Sequence, residues 1–300
     1  MMMLIGFYCG KKEVLNEKTS KDISWLVINV ANVAMVINSG VSNSRSDIAP
    51  GNLLLVFGLA LGVYAVLLFL AWVLPVILRV ARQERGTYRV MLVFSNIGFM
   101  GLPLLSAIAA QEAVLYAAIF IFIFNVLIYT YGILAMTAGE PRVGRDVPSA
   151  FPWKKLCNPG VISCLIALIL FFMDFELPSF IQTTLSSLSA LTGPLSMLVI
   201  GRSFLDFKVK DLFLDVRLLL FSLIKLVVIP VIGLSLIKCF VTDTTVLQVA
   251  LVMLATPVAS MVAMMVQQYE GNVSLASRGV ALSTLLSVLT LPLVSLITRI

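Results

Sequence analysis

The apolar residues of this chain are gathered into runs long enough to cross a lipid bilayer, and that feature alone removes most fold classes. The runs occupy residues 23–41, 52–78, 88–110, 113–136, 158–175, 180–201, 216–240, 245–266 and 275–298, with a short run ahead of Lys11. A helix needs about 20 apolar residues to span the hydrocarbon core. Outer-membrane barrels instead use strands of about ten residues with alternating polarity, a pattern shorter and more regular than these runs. In hydrocarbon every backbone N–H and C=O must be paired internally, which leaves helices. Composition agrees, since 12% of residues are charged and 60% apolar, whereas about a quarter are charged in soluble domains. The expected fold is an all-α integral membrane protein of ten transmembrane helices, the first of them short.

The net charge of +6 is spread over short loops, so it reports topology and not a nucleic-acid partner. Lys11, Lys12, Lys18 and Lys21 lie between segments 1 and 2, and Arg79, Arg82, Arg85 and Arg89 between 3 and 4. Arg142, Arg145, Lys154 and Lys155 follow segment 5, and Arg202, Lys208, Lys210 and Arg217 follow segment 7. The alternate loops carry Arg45, Lys238 or no basic residue. Basic loops stay cytoplasmic, so both termini are expected outside a cell membrane that the chain crosses many times. Met1–Gly10 lacks a basic leading region and is not read as a cleavable signal.

The longest loop, 137–157, contains Pro141, Pro148 and Pro152 and separates residues 1–136 from 158–300. Five helices on each side is an odd number, so the second half enters from the opposite face, giving two inverted five-helix repeats. Asn32–Ile37 of segment 2 can be laid on Gly193–Leu198 of segment 7. The fourth segment of each half also holds helix breakers: Asn96, Gly98, Gly101 and Pro103 in segment 4, Thr256 and Pro257 in segment 9. Matched interruptions are the best sequence pointer to a transporter's binding site. Freed backbone groups persist there only against protein or a wet cavity. Half-helix N-termini favour an anion, and glycine lets a ligand approach the backbone.

Lys225 is the clear ionisable group in mid-segment, where a cation costs about 2.5–3.5 kcal/mol on insertion scales. Three roles are open to it: neutralising an anionic substrate, lying beside a broken-helix C-terminus, or snorkelling to the cytoplasmic side. Glu112, Asp174, Glu176 and Glu270 sit at segment edges, so no acid lies deep in the membrane. Uncharged polar residues on the candidate path include Asn29, Asn32, Asn38, Asn125, Ser260, Gln267, Ser283 and Thr284. The expected substrate-binding set is Asn96, Gly98, Gly101, Pro103, Asn125, Pro257, Val258, Ser260 and Lys225.

Enzyme chemistry finds little support. With no histidine, His-ligated zinc, Ser-His-Asp and Cys-His constellations are excluded. Cys9, Cys157, Cys164 and Cys239 show no CxxC spacing and read as small hydrophobes. HExxH, GxSxG and Walker A sequences are absent, so no metal, no cofactor and no nucleotide-driven step is expected. A gradient or the substrate's own charge must drive transport.

The stretch Ser95-Asn96-Ile97-Gly98-Phe99-Met100-Gly101-Leu102-Pro103-Leu104-Leu105 closely resembles the fourth-helix motif of the auxin efflux carrier family of membrane transporters. Leu4–Tyr8 with Lys11-Lys12, Asn158-Pro159, Pro194-Leu195 with Ile200-Gly201, Thr256–Ala259, Gln268–Gly271 and Ser283–Ser287 resemble further family stretches in order along the chain. The resemblance implies a bacterial malate/malonate permease-like member. It implies an inverted-repeat fold like those of sodium/proton antiporters and bile-acid symporters, with helices 4 and 9 crossing at Asn96 and at Pro257 with Val258. It also implies movement of a transport domain against a scaffold. Three positions depart from the pattern: the first helix is short, Val33 replaces a usual proline, and Arg202 stands where small residues are common. The expected function is secondary transport, by efflux or exchange, of small organic anions such as mono- or dicarboxylates. The alternatives are a sodium- or proton-coupled symporter and, less favoured, a membrane-embedded sensor. The expected partners are the substrate and the lipid bilayer, with a homodimer left open.

Overall fold

A computed structural model of the chain describes residues 2–42, 50–109, 111–137, 159–173, 177–206, 212, 214–269 and 271–300. The linker expected at 137–157 lies almost wholly outside these residues, as do Cys157, Asp174, Glu176, Lys208 and Glu270. All regular structure among the described residues is helical apart from one isolated bridge between Ser95 and Val258.

α1 (Met2–Lys11) is short; α2 runs through Glu17–Leu26, a widened π turn at Val27–Ala31 and Asn32–Ser42. α3 (Pro50–Ile77) is followed by α4 (Arg85–Val93) and, after an extended break, by α5, a π turn at Ile97–Gly101 leading into Leu102–Ile108. α6 joins Gln111–Leu127, the π turn Ile128–Gly132 and Ile133–Thr137. α7 (Pro159–Met173) and α8 (Ser179–Ser203) come next. α9 combines Val216–Leu223, the π turn Ile224–Val228 and Ile229–Lys238. α10 (Thr244–Ala255), α11 (Ser260–Gln268) and α12 (Val273–Thr298) complete the described chain.

Helix starts follow local chemistry. Asn16, Asp215, Asp243 and Asn272 each accept a hydrogen bond from the amide three residues on, capping α2, α9, α10 and α12. Among the described residues six helices are long and apolar enough to cross a bilayer: Glu17–Asn38, Leu54–Ile77, Tyr116–Met136, Ser179–Arg202, Val216–Lys238 and Val273–Thr298. Their outward faces carry large apolar side chains, including Leu54, Phe69, Trp72, Phe180, Leu289 and Leu296. A water-soluble surface would not tolerate so many together.

Packing sorts the helices into two groups. α1 lies on α8, and α2 packs against α7 and α8. The other group surrounds α10 and α12, with α4, α5, α6, α9 and α11 packed on them and α3 attached through α4 and α6. α11 and α6 provide the main faces between the groups, meeting α2, α7 and α8. The interrupted helices thus sit within one group with a face turned toward the other.

Short as it is, α1 is held by backbone contact. A Cβ added to Gly6 would strike the Leu198 carbonyl, and one added to Gly201 would strike that of Met3. Those two glycines let α1 and α8 approach as small residues do at membrane helix interfaces. Gly58 on α3 has nothing within 4 Å of the same construction. Gly201→Val is therefore expected to lower the thermal midpoint of the detergent-purified protein by several degrees, an overpacking cost of about 1–3 kcal/mol. Gly58→Val is expected to leave that midpoint nearly unchanged in the same fluorescence melt.

Candidate functional site

Two breaks face each other near the middle of the second group. α4 ends at Val93, with Phe94 extended (φ −100°, ψ 99°), and α10 ends at Ala255, with Thr256 extended (φ −70°, ψ 150°). The second break has a plain sequence cause, because the residue before a proline is driven out of the helical region and Thr256 precedes Pro257. At the first break the proline is six residues too late. Pro103 lies in the opening turn of the α-helical part of α5, and the chain has already broken at residues 94–96. Ser95 and Asn96, whose short polar side chains compete with helical bonding, mark the true position.

The extended segments satisfy one another. The Asn96 N–H donates to the Pro257 carbonyl at 2.7 Å, and the Ala259 N–H to the Phe94 carbonyl at 2.9 Å. Between them the Val258 N–H donates to Ser283 Oγ of α12 at 3.1 Å. The fourth and ninth segments of the sequence reading correspond to α4–α5 and α10–α11, which are joined here by these backbone bonds.

Lys225, 2% exposed, reaches in from the π turn of α9. Its Nζ donates to the Leu92 carbonyl at 2.8 Å and to Ser95 Oγ at 3.0 Å. Leu92 offers one of the carbonyls left over at a helix C-terminus, where the helix dipole also favours a cation. Of the three roles open to Lys225, the structure matches the place beside a broken-helix C-terminus. Among the described residues no carboxylate pairs with it.

Two polar side chains at the crossing are buried without a hydrogen-bond partner among the described residues, Thr256 Oγ1 and Ser260 Oγ. The Asn96 side chain beside them, 4% exposed, caps nothing. Buried polar groups are otherwise almost always bonded, and each exception calls for an explanation such as an absent ligand or water.

The remaining predicted residues divide. Gly98 is closely flanked by one movable group, since an added Cβ would meet the Met35 methyl of α2 at 3.3 Å. Gly101 has none: the space is filled by Val252 of α10 at 2.8 Å and by Ile97. Its lack of a side chain serves helix packing. Asn125 is buried at the α2–α6 contact, donating to the Ile121 carbonyl at 2.9 Å and accepting from Asn32 at 3.4 Å. Asn32 also donates to Tyr129 OH at 2.8 Å, and that hydroxyl donates to the Ile28 carbonyl. Thr256, Ser95 and Ser283 were not in the predicted set. Thr256 beside Pro257 and Ser95 beside Asn96 carried the signal that could have found the first two.

The sequence matches the membrane transport protein family over residues 1–295. The chain belongs to that family. It is the auxin efflux carrier family, and the motif around Asn96 is the stretch that forms the first break. An uncharacterized transporter of Methanocaldococcus jannaschii is similar, at 26% identity over 98% of this chain and 94% of the relative. A member of the membrane transport protein family is a transport protein, not an enzyme, and this one is a multi-pass membrane protein. Among its described residues no cluster of His, Cys, Asp and Glu could hold a metal ion.

If Lys225 fixes the end of α4, removing its ammonium leaves the Leu92 carbonyl and Ser95 hydroxyl unpaired. Lys225→Met is expected to speed amide exchange at Ser95 and Asn96 about tenfold, equivalent to about 1.4 kcal/mol of local protection. Exchange in α12 away from the crossing serves as the internal control.

Proposed function

We propose that the chain is a secondary carrier of small organic anions such as mono- or dicarboxylates. The observation that carries this reading is the chemistry of the crossing: donors and partial positive charge converge there without a buried acid. The π turn after Asn96 and the nine-residue helix α11 both begin at the crossing with no side-chain cap. Their leading N–H groups and dipoles favour an anion. Thr256 and Ser260 supply unpartnered buried hydroxyls beside them, with the buried Asn96 amide next to these, and at Gly98 only the movable Met35 methyl stands against the backbone. Lys225 adds its field from behind, while its ammonium stays on Leu92 and Ser95. Pro257 and Val258 hold the paired backbone, and Asn125 works at the neighbouring α2–α6 contact. A carboxylate seated against Asn96 and Ser260 would complete what the protein leaves unbonded.

The finer fold reading belongs with this proposal: two inverted five-helix repeats, cytoplasmic basic loops and an elevator-type movement of one helix group past the other. Cysteine probes placed at Lys12 and Asp243 are expected to react from opposite sides of the cell membrane.

Uptake of labelled mono- and dicarboxylates into proteoliposomes, with and without sodium or pH gradients, tests the function. No uptake of any organic anion would sink it, and uptake strictly dependent on sodium or protons would favour the coupled symporter. Asn96→Ala is expected to lower uptake more than tenfold, and Asn38→Ala, on an uninterrupted stretch of α2, less than about twofold. Thr256→Val should give a diagnostic opposition. Removing an unbonded buried hydroxyl relieves a penalty of about 1–3 kcal/mol, so the thermal midpoint is expected to rise while uptake falls.

A further inference from the structure

Residues 79–89, at the turn from α3 into α4, hold four arginines against one acid, Glu84. Arg79, Arg82 and Arg85 stand at the helix ends or between them, but Arg89 lies one turn inside α4. Its guanidinium carbon sits over the Trp72 ring of α3, 3.9 Å from the centroid, and its Nε is buried with no hydrogen-bond partner among the described residues. We propose that Arg89, with Trp72 and the Tyr131 hydroxyl of α6, binds the phosphate of an anionic phospholipid. The site faces the bilayer and holds whichever solute is carried.

The depth suits a headgroup. Trp72 lies five residues before the end of the spanning stretch Leu54–Ile77, and Tyr131 five before the end of Tyr116–Met136, about 7–8 Å along a helix. The two ends come together at α4, which packs along α3 and approaches α6 so closely that a Cβ added to Gly86 would strike the Ala135 carbonyl. Trp72 is 58% exposed on the outer side of α3, and amphipathic rings in that position gather at the headgroup level of a bilayer.

No acid answers Arg89 among the described residues. Glu84 accepts from Asn272 Nδ2 at 3.4 Å, and Asp215 pairs with Arg278 at 3.4 Å. Trp72 takes the charge against its π face but offers no oxygen to the N–H groups. The Tyr131 hydroxyl, within electrostatic reach of Arg89, is likewise buried and unbonded. One phosphodiester answers both donors, because its oxygens match the planar fork of a guanidinium and can also accept from a phenol. Basic pockets between membrane helices collect such headgroups. Phe69, exposed one turn from Trp72 toward the middle of α3, gives the acyl chain an apolar surface, which a free phosphate would leave unused.

The test titrates the detergent-purified full chain with phosphatidylglycerol, or with phosphatidylcholine of the same acyl chains, whose choline neutralises the phosphate. Binding is read as the lipid mole fraction that gives half the maximal rise in thermal midpoint. Phosphatidylglycerol is expected to act at a mole fraction about tenfold lower than phosphatidylcholine. Arg89→Gln should raise the phosphatidylglycerol value about tenfold, and Arg82→Gln, at an exposed position of the same charge run, less than about twofold. Tyr131→Phe keeps the ring and loses only an unbonded hydroxyl, so its lipid-free midpoint should not fall while the phosphatidylglycerol value rises about threefold. Glycerol phosphate, the same anion without the chains, is expected to leave the midpoint unchanged at millimolar concentration; a full rise would identify a free-anion site and overturn the lipid assignment. Equal action of the two lipids, or equal losses in Arg89→Gln and Arg82→Gln, would replace the site with diffuse surface charge. If Arg89→Gln does not fold, an unchanged value in Tyr131→Phe overturns the proposal.

Discussion

In hydrocarbon an interrupted helix strands polar backbone groups that water cannot reach, and each one left alone costs several kcal/mol. The architecture around the crossing answers that constraint. Neither break is stable by itself, and each supplies what the other lacks: Asn96 N–H finds the Pro257 carbonyl, and Ala259 N–H finds that of Phe94. What the pair leaves over is met by neighbours, Ser283 for the Val258 amide and Lys225 for the Leu92 carbonyl. α9 and α12 are thereby tied to the crossing by polar bonds as well as by packing.

Much of this was legible in sequence because it rests on local chemistry. Run length and hydropathy announced membrane helices, and Thr256-Pro257 located one break to the residue through the steric restriction on a pre-proline residue. The other break was placed too broadly. Gly98, Gly101 and Pro103 drew attention C-terminal of residues 94–96, although glycine and proline tolerate helix in membranes when neighbours compensate. The difference between Gly98 and Gly101 depends on Val252 of α10 and Met35 of α2, which are remote in sequence. Lys225 was visible as an anomaly, but its partner carbonyl lies more than a hundred residues away. No pattern within one segment could reveal it.

The unbonded groups explain why the site is not simply a rigid junction. Thr256 Oγ1 and Ser260 Oγ are as buried as the residues of the apolar core yet remain unsatisfied. A junction selected for stability alone would carry valine and alanine at these places, gaining packing without desolvating a hydroxyl. Retaining polar atoms here costs stability, a conflict that the proposed binding role would answer.

The same energetics separate what can move from what cannot. Contacts between the two helix groups include a few polar bonds, Ser24 to Gln267, Asn32 to Asn125 and Tyr129, and Tyr129 to the Ile28 carbonyl. Such side-chain bonds within membranes average about 0.6 kcal/mol each, so parting these four costs about 2.4 kcal/mol. Opening the crossing would instead expose at least four backbone groups together with the Lys225 ammonium, at several kcal/mol for each group. Separating the groups at the α2–α6 and α2–α11 faces therefore costs less polar bonding than opening the crossing, and that difference is the energetic ground for the proposed movement of one group past the other with the paired breaks intact.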